Sequence, residues 1–389
     1  MANEPTTGVL IVGSGMAGVT LARELRKLDA SADITLISAD RGGFYSKPNI
    51  SNALAAGKSA DQLMMSQRDA LAAQLKIRIH SGVEVSAIHA QSNRVTTSIG
   101  DISYEKLVLA LGARPIRLPL KGDGAHEVIS VNHLDHYSDF RRTLEGKERV
   151  AVLGAGLIGC EFANDLHIGG FEVTVFDLAP QPLGRLLPPQ AAAFFQQRLE
   201  AIGVKFHFST SITNVNKTDG HYVLTDSHNV EHQADLVLSA IGLLPETGLA
   251  KATGLAVNRG IIVNRQLQAN PESSQAPIYA LGDCMEVGDL NLPFILPIMA
   301  QARALAKTLT GTPTDLVYSA MPVAVKTPAC PTIVCPPPQG SIGAWQEEVG
   351  ADGVRALFVG ADGKPLGFAL LGSATAERQA LAAQMPAWL

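Results

Sequence analysis

Two glycine-rich turns of the form G-x-G-x-x-G constrain this chain more than any other feature. The first is Gly13-Ser14-Gly15-Met16-Ala17-Gly18 and the second is Gly154-Ala155-Gly156-Leu157-Ile158-Gly159, about 140 residues later. Each follows a short run of buried character, Gly8 to Val12 and Val150 to Leu153, and each runs into a helical stretch, Val19 to Leu28 and Leu157 to about Ile168. A second strand comes next in both: Ile34 to Ser38, ending near Asp40, and Glu172 to Phe176, closed by Asp177. One such turn is weak evidence. Two, each between an expected strand and helix, predict a duplicated Rossmann-like unit.

The glycines have distinct physical tasks. The first permits the tight bend, the second lets backbone approach a pyrophosphate, and the third lets helix and strand pack closely. Free N–H groups at the positive helix end then hold phosphate. An acidic residue ending the second strand suits a ribose hydroxyl. Asp177 stands 23 residues after Gly154, and residues 176–181 contain no Arg or Lys to welcome a 2′-phosphate. NADH is therefore expected over NADPH. In the first unit the ribose could fall to Asp40 or to Ser38.

Beyond the turns, Leu107 to Gly112 reads as a strand ending in a turn, and Asp235 to Gly242 as its counterpart leaving the second unit. The chain then returns to the first unit through Ile278-Tyr-Ala-Leu-Gly-Asp283, and from Gly311 it becomes Pro-rich with β-type residues. The fold class expected is α/β: two Rossmann-like dinucleotide-binding domains, the NAD domain inserted in the FAD domain, plus a small α+β C-terminal domain. The limits are 1–113 with 243–312 for FAD, 114–242 for NAD and 313–389 for the last.

Composition excludes some functions. The 389 residues are 46% hydrophobic and 17% charged with a net charge of −5, and no basic cluster points to nucleic acid or an anionic membrane. Residues 5–22 are uncharged but hold four glycines and three threonines after an acidic start. That suits neither a signal peptide nor a membrane span, so a cytoplasmic protein is expected. Cys160, Cys284, Cys330 and Cys335 form no C-x-x-C pair and are expected as buried small side chains, with no metal site.

The segment Ile278–Asp283 resembles the second FAD fingerprint of the pyridine-nucleotide-dependent flavoprotein reductases, and Leu109–Ala113 and Ser239–Pro245 resemble that family's crossover motifs. Within it the chain is most similar to the rubredoxin reductases of alkane-degrading bacteria. The similarity rests on Tyr45-Ser-Lys-Pro48, Leu153 to Asp165, Val257-Asn-Arg-Gly260 and Val325-Lys-Thr-Pro-Ala-Cys-Pro331. The resemblance implies FAD and NADH as cofactors and rubredoxin as one-electron partner. It assigns Lys47 and Glu161 to a Lys–Glu pair beside flavin N5, with no acid–base residue. Asp283 takes the flavin ribityl chain. Lys326 approaches the flavin pyrimidine edge, aided by the start of a helix expected over Pro297–Leu309.

Further FAD contacts implied are Gly13, Ser14, Gly15, Met16, Ala17, Gly18, Ser38, Ala39, Asp40, Pro48, Val83, Ala110, Gly112, Gly282 and Ile295. For NAD they are Gly154, Gly156, Leu157, Ile158, Gly159, Asp177 and Gly242. Disulfide reductases of this family carry C-x-x-x-x-C in the first FAD-side helix, whereas Phe44 to Leu54 has no cysteine. Without a thiol relay, electrons must pass directly to an external acceptor. The rivals are a reductase of ferredoxin, flavorubredoxin or a nitrite reductase partner, a plain NADH oxidase, and a flavin-binding redox sensor or assembly factor.

Overall fold

The computed structural model describes residues 6–272 and 274–389. The N-terminal segment 1–5, on which part of the targeting expectation falls, lies outside the described residues. In the first unit, strand β1 (Thr6–Val12) leads through the glycine turn into helix α1 (Met16–Leu28), then strand β2 (Ile34–Ser38). Helix α1 begins three residues earlier than its periodicity suggests, because Gly15 itself is the N-cap. It ends at Asp29, with Arg26 and Lys27 in the last turn, where cations suit the helix dipole. Leu10 and Ile11 of β1 are fully buried, each contributing about 1.5–3 kcal/mol relative to exposure.

β1 pairs in parallel with β2 and with the long strand β3 (Gly100–Leu109). Strand Arg78–Ser81 flanks β2, and Arg94–Thr97 and Val85–His89 extend the other edge. The second unit repeats the plan: strand β4 (Arg149–Leu153), helix α2 (Leu157–Ile168), strand β5 (Glu172–Phe176) and strand β6 (Leu236–Ser239). Its parallel sheet runs Lys205–His207, β5, β4, β6. The short strands Ala113–Pro115 and Leu243–Pro245 pair antiparallel where the chain passes between the units.

The return is a matter of register. Strand β7 (Ile278–Ala280) adds to the first sheet by pairing in parallel with Leu107–Leu109 at the end of β3. Helix α3 (Ile295–Leu309) then packs on α1. It starts at Ile295 rather than Pro297, so the proline lies within the first turn, where its missing N–H is harmless. The C-terminal part is a five-stranded antiparallel sheet followed by a short helix, Arg378–Ala382. No helix among the described residues is long and apolar enough to cross a membrane.

Candidate functional site

Each glycine turn is shaped by contact. At Gly13, with φ +117°, an added Cβ would lie 2.2 Å from the Ala110 carbonyl oxygen, and at Gly18 it would lie 2.0 Å from the Gly13 oxygen. In the second turn, Gly154 (φ +106°) and Gly159 meet Ala240 and Gly154 oxygens at 2.7 and 1.9 Å. Gly15 and Gly156 are different: a Cβ there would meet nothing within 4 Å. They open onto free space as the N-caps of α1 and α2, with no side-chain cap and no acidic residue in either first turn. The helix N–H groups are thus left for an anionic ligand, and the cradles fit a dinucleotide pyrophosphate at both turns.

At the first turn, Ser14, Ser38 and Asp40 converge. Ser14 Oγ lies 2.7 Å from Ser38 Oγ and 2.8 Å from Asp40 Oδ1. Ser38 Oγ and the Gly42 N–H donate to the same Asp40 oxygen at 2.5 and 2.8 Å. Ser38 and Asp40 thus belong to one hydrogen-bonded group at this turn. Val83 N donates to the Ser38 carbonyl at 2.9 Å, which brings Val83 to this site while Ala39 stays exposed. At the second turn, Asp177 accepts from Ala155 N at 2.5 Å and Ala179 N at 2.7 Å, so the carboxylate also anchors the glycine turn. Leu157 and Ile158 open α2 beyond that turn, and Gly242 (φ +117°) ends the strand-end loop after β6.

The segment returning after β7 closes on the first turn. A Cβ on Gly282 (φ +83°) would lie 2.7 Å from Ala17 Cβ, so the Gly-Asp pair abuts the start of α1 beside Met16. Gly282 N donates to buried Gln301 Oε1 at 2.7 Å, and Gln301 Nε2 donates to Tyr318 Oη at 2.7 Å. Burial pushes the Asp283 carboxyl up and the Lys47 ammonium down, and each is partly offset by the other's charge. Gly112 (φ +70°) lies in the turn after β3, and Ile295, at the start of α3, is partly exposed.

Lys47 and Pro48 open a 3₁₀ turn over Lys47–Asn52. Here one expectation is corrected. Glu161 is paired with Lys326, not with Lys47: Lys326 Nζ lies 2.5 Å from Glu161 Oε2, and Lys326 N donates to Oε1 at 2.8 Å. Ser51 Oγ donates to Glu161 as well, and Lys326 Nζ to Ser51 Oγ at 3.1 Å. Glu161 is fully buried, which requires a matched cation and further donors; the C-terminal domain brings the closer ammonium. The charge that acts on Lys47 is that of Asp283.

Residues missed in the sequence include Ser51, Asn164 and Asp165. Asn164 Oδ1 accepts from Ala329 N at 3.2 Å, and Asp165 accepts from Leu54 N and Ala55 N at 2.9 and 3.1 Å. The available signal was the spacing of 161, 164 and 165, which puts three polar side chains on one face of α2. All four cysteines are free and buried. Burial pushes the Cys284 thiol up to about 12, Cys330 and Cys335 up to about 11, and Cys160 higher still.

Two open glycine turns, each with a strand-end carboxylate, and a Gly-Asp segment closing on the first define a reductase fold built for two dinucleotides. The chain belongs to the pyridine nucleotide-disulphide oxidoreductase family, whose model matches residues 7–307, and a rubredoxin binding C-terminal domain model matches residues 315–385. A rubredoxin-NAD(+) reductase of Alcanivorax borkumensis is 46% identical over 97% of this chain and 98% of its own. A nitric oxide reductase FlRd-NAD(+) reductase of Aeromonas hydrophila is 38% identical, over 97% and 96%. Among solved structures, a ferredoxin reductase of Rhodopseudomonas palustris superposes with a TM-score of 0.87 at 25% identity, covering 98% of this chain and 96% of that one. An NADH:rubredoxin oxidoreductase of Clostridium acetobutylicum has a TM-score of 0.78 at 22% identity, over 96% and 93%.

Proposed function

We propose that this chain is an NADH-dependent rubredoxin reductase: hydride passes from NADH to FAD, and electrons then leave singly to rubredoxin. FAD, when bound, supplies the chemistry that joins a two-electron donor to one-electron acceptors. The observation carrying this reading is the fate of the thiols. Where a disulfide reductase of the family would hold its redox pair, the turn Lys47–Asn52 presents Ser51, and the four cysteines are buried with unreactive thiols. Whole-chain similarity to rubredoxin-NAD(+) reductases and the match to a rubredoxin-binding domain support the acceptor.

Gly13, Gly15, Gly18 and the α1 start would hold the FAD pyrophosphate, with Asp40 serving its ribose and Asp283 its ribityl chain. Gly154, Gly156, Gly159 and the α2 start would hold NADH, with Asp177 serving the ribose. Lys326 brings positive charge onto the buried Glu161 carboxylate, and the Lys47 ammonium lies within electrostatic reach of Asp283; both cations favour electron density arriving between the units. Four unpaired cysteines agree with a reducing compartment, and we assign the protein to the cytoplasm.

The test is stopped-flow reduction of the yellow holoprotein by NADH and by NADPH, followed by turnover with oxidised rubredoxin. Fast bleaching by NADH with rubredoxin turnover far above the oxygen rate is the expected result. Bleaching without rubredoxin turnover would move the partner to another one-electron carrier. Absence of fast bleaching would overturn the enzyme assignment.

A further inference from the structure

The polar face of α2 grips two other parts of the protein. Glu161 holds Ser51 and Lys326, Asn164 holds the backbone at Ala329, and Asp165 holds the N–H groups of Leu54 and Ala55. All three side chains are buried. The segment from Lys47 to Lys58 is also held from the helix Leu134–Thr143, where Tyr137 Oη donates to the Lys58 carbonyl at 3.0 Å and Arg141 donates to the same oxygen. The stretch that carries Lys47 is thus anchored mainly by the nucleotide unit that follows it.

We infer that Asp165 is a positioning residue for the redox site, locking the Lys47-bearing segment onto α2 through the Leu54 and Ala55 amides and making that lock depend on one buried negative charge. The inference rests on the reductase reading above. An ionised carboxylate can accept both N–H groups, one on each oxygen, as found here. A protonated carboxyl keeps one good acceptor, and its hydroxyl opposes the second N–H. The lock therefore weakens on protonation and the segment carrying Lys47 loosens.

The ionisable groups facing Asp165 are Glu161 on its own helix, Lys326 from the C-terminal domain and Tyr137 from the helix Leu134–Thr143. Burial raises the Asp165 carboxyl to about 6; Glu161 adds to that, while the two amides and Lys326 oppose it. A carboxyl raised in the folded state contributes stability below its unfolded value of about 4, and that contribution is lost as pH rises through about 6. Acid thus opens the lock without Asp165 destabilising the fold, which separates positioning from a purely structural role.

The experiment follows flavin bleaching by NADH in the FAD-loaded wild type and D165N from about pH 5 to about pH 7.5, with FAD content and melting temperature measured alongside. The wild-type rate is expected to fall about tenfold across an acid limb centred near pH 6, the loss of one charge-assisted hydrogen bond. D165N, with equal FAD content and a melting temperature no lower than wild type, is expected to be about tenfold slower at the upper pH and flat across the range. A D165N rate and acid limb matching wild type would overturn the inference. Should D165N fail to fold, amide exchange decides in the wild type. Protection at Leu54 and Ala55, corrected for intrinsic rates, must fall below about pH 6, and unchanged protection overturns the lock. A wild type that NADH never bleaches defeats the reductase reading, while the exchange measurement still judges the lock.

Discussion

Lys326 Nζ lies 2.5 Å from Glu161 Oε2, joining the C-terminal domain to the second turn-helix unit through a carboxylate with no exposed surface. Removing one member of a buried pair leaves the other uncompensated, at a cost of about 3 kcal/mol. Lys326→Met should therefore lower stability by about that much, and Glu161→Gln by about 1–2 kcal/mol, because an amide keeps hydrogen bonds and the Lys326 ammonium left behind is partly open to solvent. The denaturant midpoint for loss of the folded holoprotein measures both. Equal losses would show that the charge is not what the site requires.

The glycines divide by the space they face. Gly18→Ala and Gly159→Ala force a Cβ to about 2 Å from a backbone oxygen, so both should fail to fold or melt far below wild type. Gly15→Ala and Gly156→Ala meet nothing and should melt as wild type without ligand. Instead they fill the phosphate approach: Gly15→Ala should purify with little flavin, and Gly156→Ala should keep flavin but raise the KM for NADH about tenfold or more. Flavin absorbance per chain and steady-state kinetics separate the two.

Asp177 supplies a further test. Its carboxylate anchors Ala155 and Ala179 and stands at the end of β5. Asp177→Ala is expected to lower kcat/KM for NADH by about tenfold to a hundredfold, as loss of hydrogen bonds to a charged group implies. Because it also removes the repulsion of a 2′-phosphate, the NADH-to-NADPH preference should shrink. A preference left at its wild-type ratio would take the ribose role away from Asp177.

Thiol chemistry gives the fourth expectation. With Cys160, Cys284, Cys330 and Cys335 buried and their thiols held in the protonated form, alkylating reagents should leave the native protein active at about pH 8. The four residues should be modified only on unfolding, as mass spectrometry would show. Rapid inactivation by alkylation would return a thiol to the electron path.

The nucleotide turns were legible because their requirements are local. A positive φ at Gly13, a helix packed against a strand at Gly18 and a carboxylate after β5 all follow from spacing along a few dozen residues. The boundaries of β2, α2 and β5 were also plain, since apolar runs are bracketed by glycine and acidic residues. Helix α1 reads shorter in the sequence than it is because Gly15 and Gly18 suggest a turn, whereas packing on α3 offsets the weak helix propensity of glycine.

The pairing at the redox site was not legible in that way. Sequence by itself determined the two-nucleotide architecture, the return of the chain to its first sheet and the want of a thiol near Lys47. Only the tertiary structure decided that Glu161 takes Lys326 rather than Lys47, and that Asp165 takes Leu54 and Ala55. These partners lie 165 and about 110 residues from the helix that holds them. A helix face shows which side chains share a direction, but the choice of counter-charge depends on which domain docks there and how much water that docking removes.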